Sequence, residues 1–131
     1  MRDYARQQTA ILLRRLAFQL SRAIKQGDPA AIHDLRVSIR RLSRCLRVFA
    51  QFFPDRSWKK IRRELAGLTD LASGVRDRDI TLEFLAGVPR PRAAAARIES
   101  ERRKLRRDLT LELRLWRSRG FSRKWRRKLE L

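Results

Sequence analysis

One segment, residues 30–53, contains the residues with the most distinctive chemistry: the only histidine of the chain and a run of arginines. At the helical repeat of about 100° per residue, His33 and four arginines fall within an arc of roughly 80°. These arginines are Arg36, Arg40, Arg44 and Arg47. Guanidinium groups form charge-assisted, often paired hydrogen bonds with the oxygens of phosphate or carboxylate groups. This set of five side chains, the arginine stripe, therefore predicts a surface that binds a polyanion.

A simpler interpretation is that the arginines only keep the outer face of a bundle helix in water. A soluble helix face is better served by charges of both signs, because opposite charges four residues apart stabilise the helix. Here no acidic residue occurs between Asp34 and Asp55. Since like charges repel, the uniform sign of the stripe favours the interpretation that an anion lies along it.

The charge of the whole chain points to the same class of ligand. The 131 residues carry a net charge of +20, and the isoelectric point is about 11.8. Such a balance is typical of proteins that bind nucleic acid, an anionic membrane surface or a phosphate polymer. The hydrophobic fraction of 43% excludes a disordered basic tail and predicts one domain with a modest core.

The single cysteine and the length of the apolar segments indicate the cellular compartment in which we expect the protein. The single Cys45 cannot form an internal disulfide, and we expect it to be a small buried residue rather than a nucleophile. No apolar run approaches the length of a membrane span, and the first twenty residues lack the apolar core of a signal peptide. We therefore expect a cytoplasmic protein without a membrane span.

The elements that must position the stripe are all predicted to be helices, because no segment alternates with a period of two. Asp28 and Pro29 are typical of a helix start, Gly27 and Gly74 of helix ends, and Pro54 of a stop. The predicted helices are residues 2–26, 29–53, about 57–73, a short one from near Asp79 to before Pro89, and about 92–118, with a last turn or two in 121–131. The segment 87–92 is too short to separate two domains. The fold class is therefore an all-α bundle of about five helices.

Two motifs resemble a known family. "HDLRVSIRRLSRCLRVF" is followed, about thirty residues on, by "LAGLTDLASGVRDRDI", and together they resemble the CHAD domain, an α-helical family named for its histidines. The family pattern is H-x-x-R-V-x-x-R-R-L-R on one helix and then a glycine and R-D-x-D after the next. The matching residues are His33, Arg36, Val37, Arg40, Arg41, Leu42 and Arg44, then Gly74, Val75, Arg76, Asp77 and Asp79. "WRSRGF", residues 116–121, also looks like the stretch that closes the first half of the family fold.

The resemblance covers nearly the whole chain and implies a single CHAD-like domain, residues 1–131, that binds inorganic polyphosphate without catalysis. It implies that the arginine stripe, together with Arg41 and Arg76, contacts phosphate oxygens. Lys60 and Arg63, on the polar side of the third predicted helix, are the expected second wall. His33 would add a pH-sensitive contact. Association with polyphosphate granules is an expectation on the same ground.

The family fold has two similar halves around a pseudo-twofold axis, and this sequence corresponds to one of them. We therefore expect a homodimer, because a single half leaves apolar surface uncovered. One candidate face is the seam of Tyr4, Ile11 and Phe18, which are seven residues apart. The other is the tail of Phe121, Trp125 and Leu129, and the sequence does not rank the two.

Two other functions remain open from the residues. Scattered basic residues in 97–128 favour a nucleic-acid-binding protein, although Trp58 and Trp116 lie on apolar stripes and are expected in the core rather than stacked on bases. Less favoured is a phosphohydrolase or its accessory subunit.

That enzyme hypothesis depends on four acidic residues that would hold magnesium: Asp70, Asp77, Asp79 and Glu83. The favoured interpretation of Asp77 and Asp79 is that they cap a helix and pair with basic side chains. No arrangement typical of nucleophilic catalysis or of a phosphate-binding glycine loop is present. We therefore expect no enzyme activity, no cofactor and no metal.

Overall fold

The computed structural model describes residues 1–89 and 92–131, which form five α-helices and one short 3-10 helix. No strand occurs in these two segments, so the expected all-α fold is confirmed. The helices are α1 (Arg2–Lys25), α2 (Pro29–Val48), α3 (Asp55–Ala86), α4 (Arg92–Ser118) and α5 (Phe121–Lys128), with the 3-10 helix at Ala50–Phe52.

The first four helices form a ring around one core. Each packs against the next along the chain, α4 returns to pack against α1, and the short α5 packs against α1 and α4. The α2–α3 edge of the ring therefore lies opposite the α1–α4 edge. Leucine and isoleucine side chains fill the centre, among them Leu13, Leu35, Leu42, Leu65 and Leu113. Burial of these apolar faces is the main source of stability.

The turn between α1 and α2 forms as the sequence predicts. Gly27 has a φ of 62°, a left-handed conformation that favours glycine. The Asp28 carboxylate accepts a hydrogen bond of 2.9 Å from the N–H group of Ala31, and Pro29 is the first residue of α2. The start of α2, and therefore the start of the arginine stripe, is determined by local chemistry.

The predicted third and fourth helices are one helix, so the prediction that Gly74 ends a helix is wrong. α3 continues through Gly74 for 32 residues in all. Gly74 does not have the positive φ of a helix-ending glycine, which occurs among the glycines only at Gly27 and Gly120. Burial of Ala72 and Val75 on both sides of it outweighs the cost of a glycine in a helix, about 1 kcal/mol.

Two other boundaries also differ from the prediction. α2 ends at Val48 and is followed by the 3-10 helix, so the helix does not continue to residue 53. α3 begins at Asp55, directly after Pro54. The predicted linker, residues 87–92, includes residues 90 and 91, which lie outside the described residues.

The continuity of α3 can be tested with Gly74→Ala. A Cβ atom at this position would lie 3.6 Å from a methyl group of Leu105, an ordinary contact, so we expect the free energy of unfolding to rise by about 0.5–1 kcal/mol. Gly67→Ala, on the open face of the same helix, should give a similar gain from helix propensity alone. Gly120→Ala should instead destabilise, because Gly120 has a φ of 64°. Urea denaturation measures all three, and a loss at Gly74→Ala like that at Gly120→Ala would contradict a continuous helix.

Candidate functional site

A groove runs between α2 and α3, and two hydrogen bonds across it align the antiparallel helices. Arg36 Nε donates to Ser73 Oγ at 3.3 Å, and Arg62 Nε donates to Ser43 Oγ at 3.1 Å. Between them lies a cavity of about 430 Å³. We call it the α2–α3 groove.

The structure brings the whole arginine stripe to this groove. His33, Arg36, Arg40, Arg44 and Arg47 all line it from α2. Arg36 is half-buried, and the other four are exposed. None of the four arginines forms an ion pair within residues 1–89 and 92–131. Their charges are therefore available to a ligand.

The second wall differs from the one expected. It contains Arg62, Ala66, Thr69 and Asp70 of α3 rather than Lys60 and Arg63. Positions 62, 66, 69 and 73 share one face of α3 because they are three or four residues apart. This spacing, with an arginine and three small side chains, is the signal in the sequence that would have identified this wall.

Lys60 projects away from the groove, about 160° around the helix axis from Arg62. It lies on the side of α3 that faces α5, where the ammonium groups of Lys60, Lys124 and Lys128 are close together. Partial desolvation, and then repulsion from Lys60 and Lys124, lower the pKa of Lys128. Arg63 is exposed and lies outside the residues that line the groove.

Arg41 and Arg76 do not line the groove either. Arg41 lies about 100° around α2 from Arg40. It lies on the same side of α2 as Asp34, whose carboxylate pairs with Arg22 of α1. Arg76 is half-buried and lies one helical turn beyond Ser73, in line with the groove and near the level of His33. Of the residues predicted outside the stripe, only Arg76 therefore lies on an extension of the groove.

Asp79 is buried inside the bundle and does not begin a helix, so the prediction that it caps a helix is wrong. It lies inside α3, is 3% exposed, and forms an ion pair with Arg102 of α4. Arg102 also donates from Nη2 to the carbonyl oxygen of Gly27, at 3.3 Å. Asp77 is likewise within α3 rather than at its start, and it is exposed. The predicted pairing with a basic side chain is therefore found at Asp79.

The four acidic residues of the enzyme hypothesis do not form a cluster. Asp79 is paired and buried, whereas Asp70, Asp77 and Glu83 are exposed along α3. Within the described residues, no three His, Cys, Asp or Glu side chains lie close enough to hold a metal ion together. The geometry thus adds no support to the enzyme hypothesis.

Cys45 is buried at the α1–α2 contact, as predicted. Its Sγ lies 3.4 Å from Thr9 Oγ1. Burial raises the pKa of the thiol, and the hydrogen bond with Thr9 opposes this shift only in part. A thiol that is buried and protonated is a poor nucleophile.

The tail is part of the core, so the proposal that it is a dimer face is wrong. Phe121, Trp125 and Leu129 are all buried against their own chain. The rings of Trp116, Phe121 and Trp125 pack with centroids 5.2–5.3 Å apart. Trp58 is half-buried against the same core. These aromatic side chains therefore stabilise the bundle, and none of them lines the α2–α3 groove.

The role of Asp79 can be tested with Asp79→Ala. Loss of one partner leaves the Arg102 charge unpaired in a largely buried site, so we expect the free energy of unfolding to fall by about 3 kcal/mol. This is the low end of the range for buried pairs, because Asp79 Oδ2 has no hydrogen-bond partner among the described residues. Asp77→Ala, an exposed acid on the same helix, should change stability by less than about 0.5 kcal/mol. Equal effects of the two variants in chemical denaturation would contradict the buried pair.

The family model described as CHAD domain matches residues 7–131, which include every residue of the α2–α3 groove. Neither the curated proteins nor the solved structures contain a match. No helix of the described residues is long and apolar enough to span a membrane.

Proposed function

Because the chain belongs to the CHAD domain family, we propose that it binds inorganic polyphosphate in the α2–α3 groove without catalysing a reaction. CHAD domains are known in general for polyphosphate binding. The observation that carries the proposal is the convergence of the arginine stripe and Arg62 on one groove with a single carboxylate, Asp70, on its walls.

The shape of the stripe suits a linear ligand. From His33 to Arg47 it extends fourteen residues, about 21 Å along the axis of α2. A phosphate chain carries roughly one negative charge per phosphate unit, so several units can contact successive arginines and release bound counterions. Arginine is better suited to this than lysine, because its planar group can donate two hydrogen bonds to one phosphate.

The side chains around the groove also favour polyphosphate over nucleic acid. Single-stranded nucleic acid is commonly bound by stacking its bases on exposed aromatic rings. No phenylalanine, tyrosine or tryptophan side chain lines the α2–α3 groove, and the tryptophans are buried or half-buried. Nucleic acid remains the alternative ligand because the groove can contact any phosphate backbone, and the residues outside the groove are also strongly basic.

A competition experiment separates these ligands. Labelled long-chain polyphosphate is bound to the protein at physiological salt, and unlabelled polyphosphate, duplex DNA or RNA of equal total charge is then added. We expect polyphosphate to compete best, and its affinity to fall steeply with salt because several phosphates are neutralised at once. Fluorescence anisotropy measures the displacement. DNA or RNA that competes equally well would contradict the proposal.

Two neighbouring arginines provide a matched pair of variants. Arg40→Ala removes a groove residue and should weaken polyphosphate binding by about 1–3 kcal/mol, the range for a hydrogen bond to a charged group. Arg41→Ala removes the same charge one residue away, on the flank toward α1, and should cost clearly less. Arg36→Ala should behave like Arg40→Ala, and circular dichroism should show unchanged helix content for all three. Equal losses at Arg40→Ala and Arg41→Ala would show that only net charge matters.

For the assembly we propose a homodimer through the α1 seam, Tyr4, Ile11 and Phe18. All three side chains are exposed, and their spacing of seven residues is typical of helices that pair along a seam. The charge of +20 on each chain opposes association, so the dimer needs salt or a bound polyanion. Such a dimer would present two grooves to one long polyphosphate chain, which agrees with the expected association with granules.

Light scattering tests this assembly. We expect the protein alone to dimerise weakly and the protein with saturating polyphosphate to form a tight dimer. Phe18→Ser should weaken it, whereas Phe84→Ser should not. Phe84 is a suitable control because it is 69% exposed, compared with 66% for Phe18, and lies on α3 outside the seam. A monomer at high salt that stays monomeric with long-chain polyphosphate would contradict the dimer.

A further inference from the structure

A second basic cavity lies on the opposite side of the bundle from the α2–α3 groove. It is bounded by α1, the end of α4 and the start of α5, and has a volume of about 810 Å³, within the range of ligand-binding pockets. Five arginines line it: Arg117, Arg119, Arg123, Arg126 and Arg127. We call it the α1–α5 cleft. It shares no residue with the groove, because the α1–α4 and α2–α3 edges of the ring are on opposite sides.

Acidic side chains do not neutralise the positive charge of the cleft. No acidic side chain lines it, and none of its five arginines forms an ion pair within residues 1–89 and 92–131. Five unpaired guanidinium groups around one cavity repel one another, and a bound anion would remove that repulsion.

The start of α5 adds a second, independent feature. α5 begins after Gly120, and no side chain caps it. The first N–H groups of a helix have no acceptor within the helix, and its amino end favours negative charge. Yet the first turn contains no acid and includes Arg123 and Lys124. This local sequence opposes the helix dipole, and exceptions of this kind concentrate at functional sites.

The lining of the cleft indicates the chemical class of the ligand. Phe121 lies at its edge but is only 7% exposed, and Trp125 is buried behind it, so no aromatic face is available to stack on a base. Backbone N–H groups, guanidinium groups and the Ser122 hydroxyl are donors suited to phosphate oxygens.

We propose that the α1–α5 cleft is a second phosphate-binding site, which takes a short stretch of inorganic polyphosphate. The identity of this ligand rests on the proposed function, whereas the existence of the site rests on the cleft itself. One chain can then hold phosphate on two opposite faces, so that each protein molecule connects two polyphosphate strands, or two parts of one strand.

Tripolyphosphate is the probe for the test, because it is too short to reach both sites. Isothermal titration calorimetry of the full chain should give two bound tripolyphosphate ions. The variant Arg123→Ala with Arg127→Ala should lose one, its cleft affinity falling by at least about tenfold for two lost charge-assisted contacts. The variant Arg56→Ala with Arg97→Ala removes the same charge from exposed positions outside both sites and should still bind two.

Nuclear magnetic resonance identifies which site is occupied. Tripolyphosphate should shift the backbone amide signals of Phe121, Ser122 and Arg123, and these shifts should persist in the variant Arg40→Ala with Arg44→Ala. If that groove variant still binds two ions, the proposed groove function fails while the cleft stands. If the shifts are absent, or if the Arg123–Arg127 variant still binds two ions, the cleft proposal is overturned. Equal displacement of tripolyphosphate from the cleft by a single-stranded oligonucleotide of the same charge would overturn its assignment to polyphosphate.

Discussion

The buried ion pair between Asp79 and Arg102 connects the parts of the bundle that position the groove. Arg102 pairs with Asp79 of α3 and donates to the carbonyl oxygen of Gly27, and Arg106 donates to the carbonyl oxygen of Gln26 at 2.9 Å. These two carbonyl groups belong to the turn between α1 and α2. Glycine is favoured at residue 27 by its φ of 62°, and the Arg106 guanidinium occupies the space where a Cβ atom would lie. Local capping sets the residue at which α2 begins, and these contacts hold the turn, and with it the arginine stripe, in position against α3 and α4.

The family motif therefore contains residues with two kinds of role. His33, Arg36, Arg40 and Arg44 line the groove, whereas Asp79 stabilises the bundle from within. Arg41, although part of the motif, lies on the flank near α1. The motif identifies the helices that border the groove, and the rotation of each helix decides which of its charged side chains line it.

The distribution of charge has a consequence for stability. The core is apolar, and most of the cationic side chains lie outside it, so the net charge of +20 acts across the surface. Such self-repulsion opposes the compact state. A polyanion that binds only the folded protein stabilises it by mass action as well as by neutralising that charge. Under the proposed function, polyanion binding and folding would therefore be coupled, most strongly at the surfaces where arginines have no acidic partner.

The sequence alone determined the features that depend on local chemistry. The all-α class, the turn at Gly27 and Asp28, and the arginine stripe all follow from helical periodicity and from capping residues, which act within a few positions. Tertiary structure decided the rest. The helix continues through Gly74 because burial of its neighbours outweighs a propensity cost of about 1 kcal/mol. Arg62 forms the second wall, in place of Lys60 or Arg63, because packing on both neighbouring helices sets the rotation of α3. Asp79 is an internal ion-pair partner because α4 packs against α3 and brings Arg102, more than twenty residues away in sequence, to it.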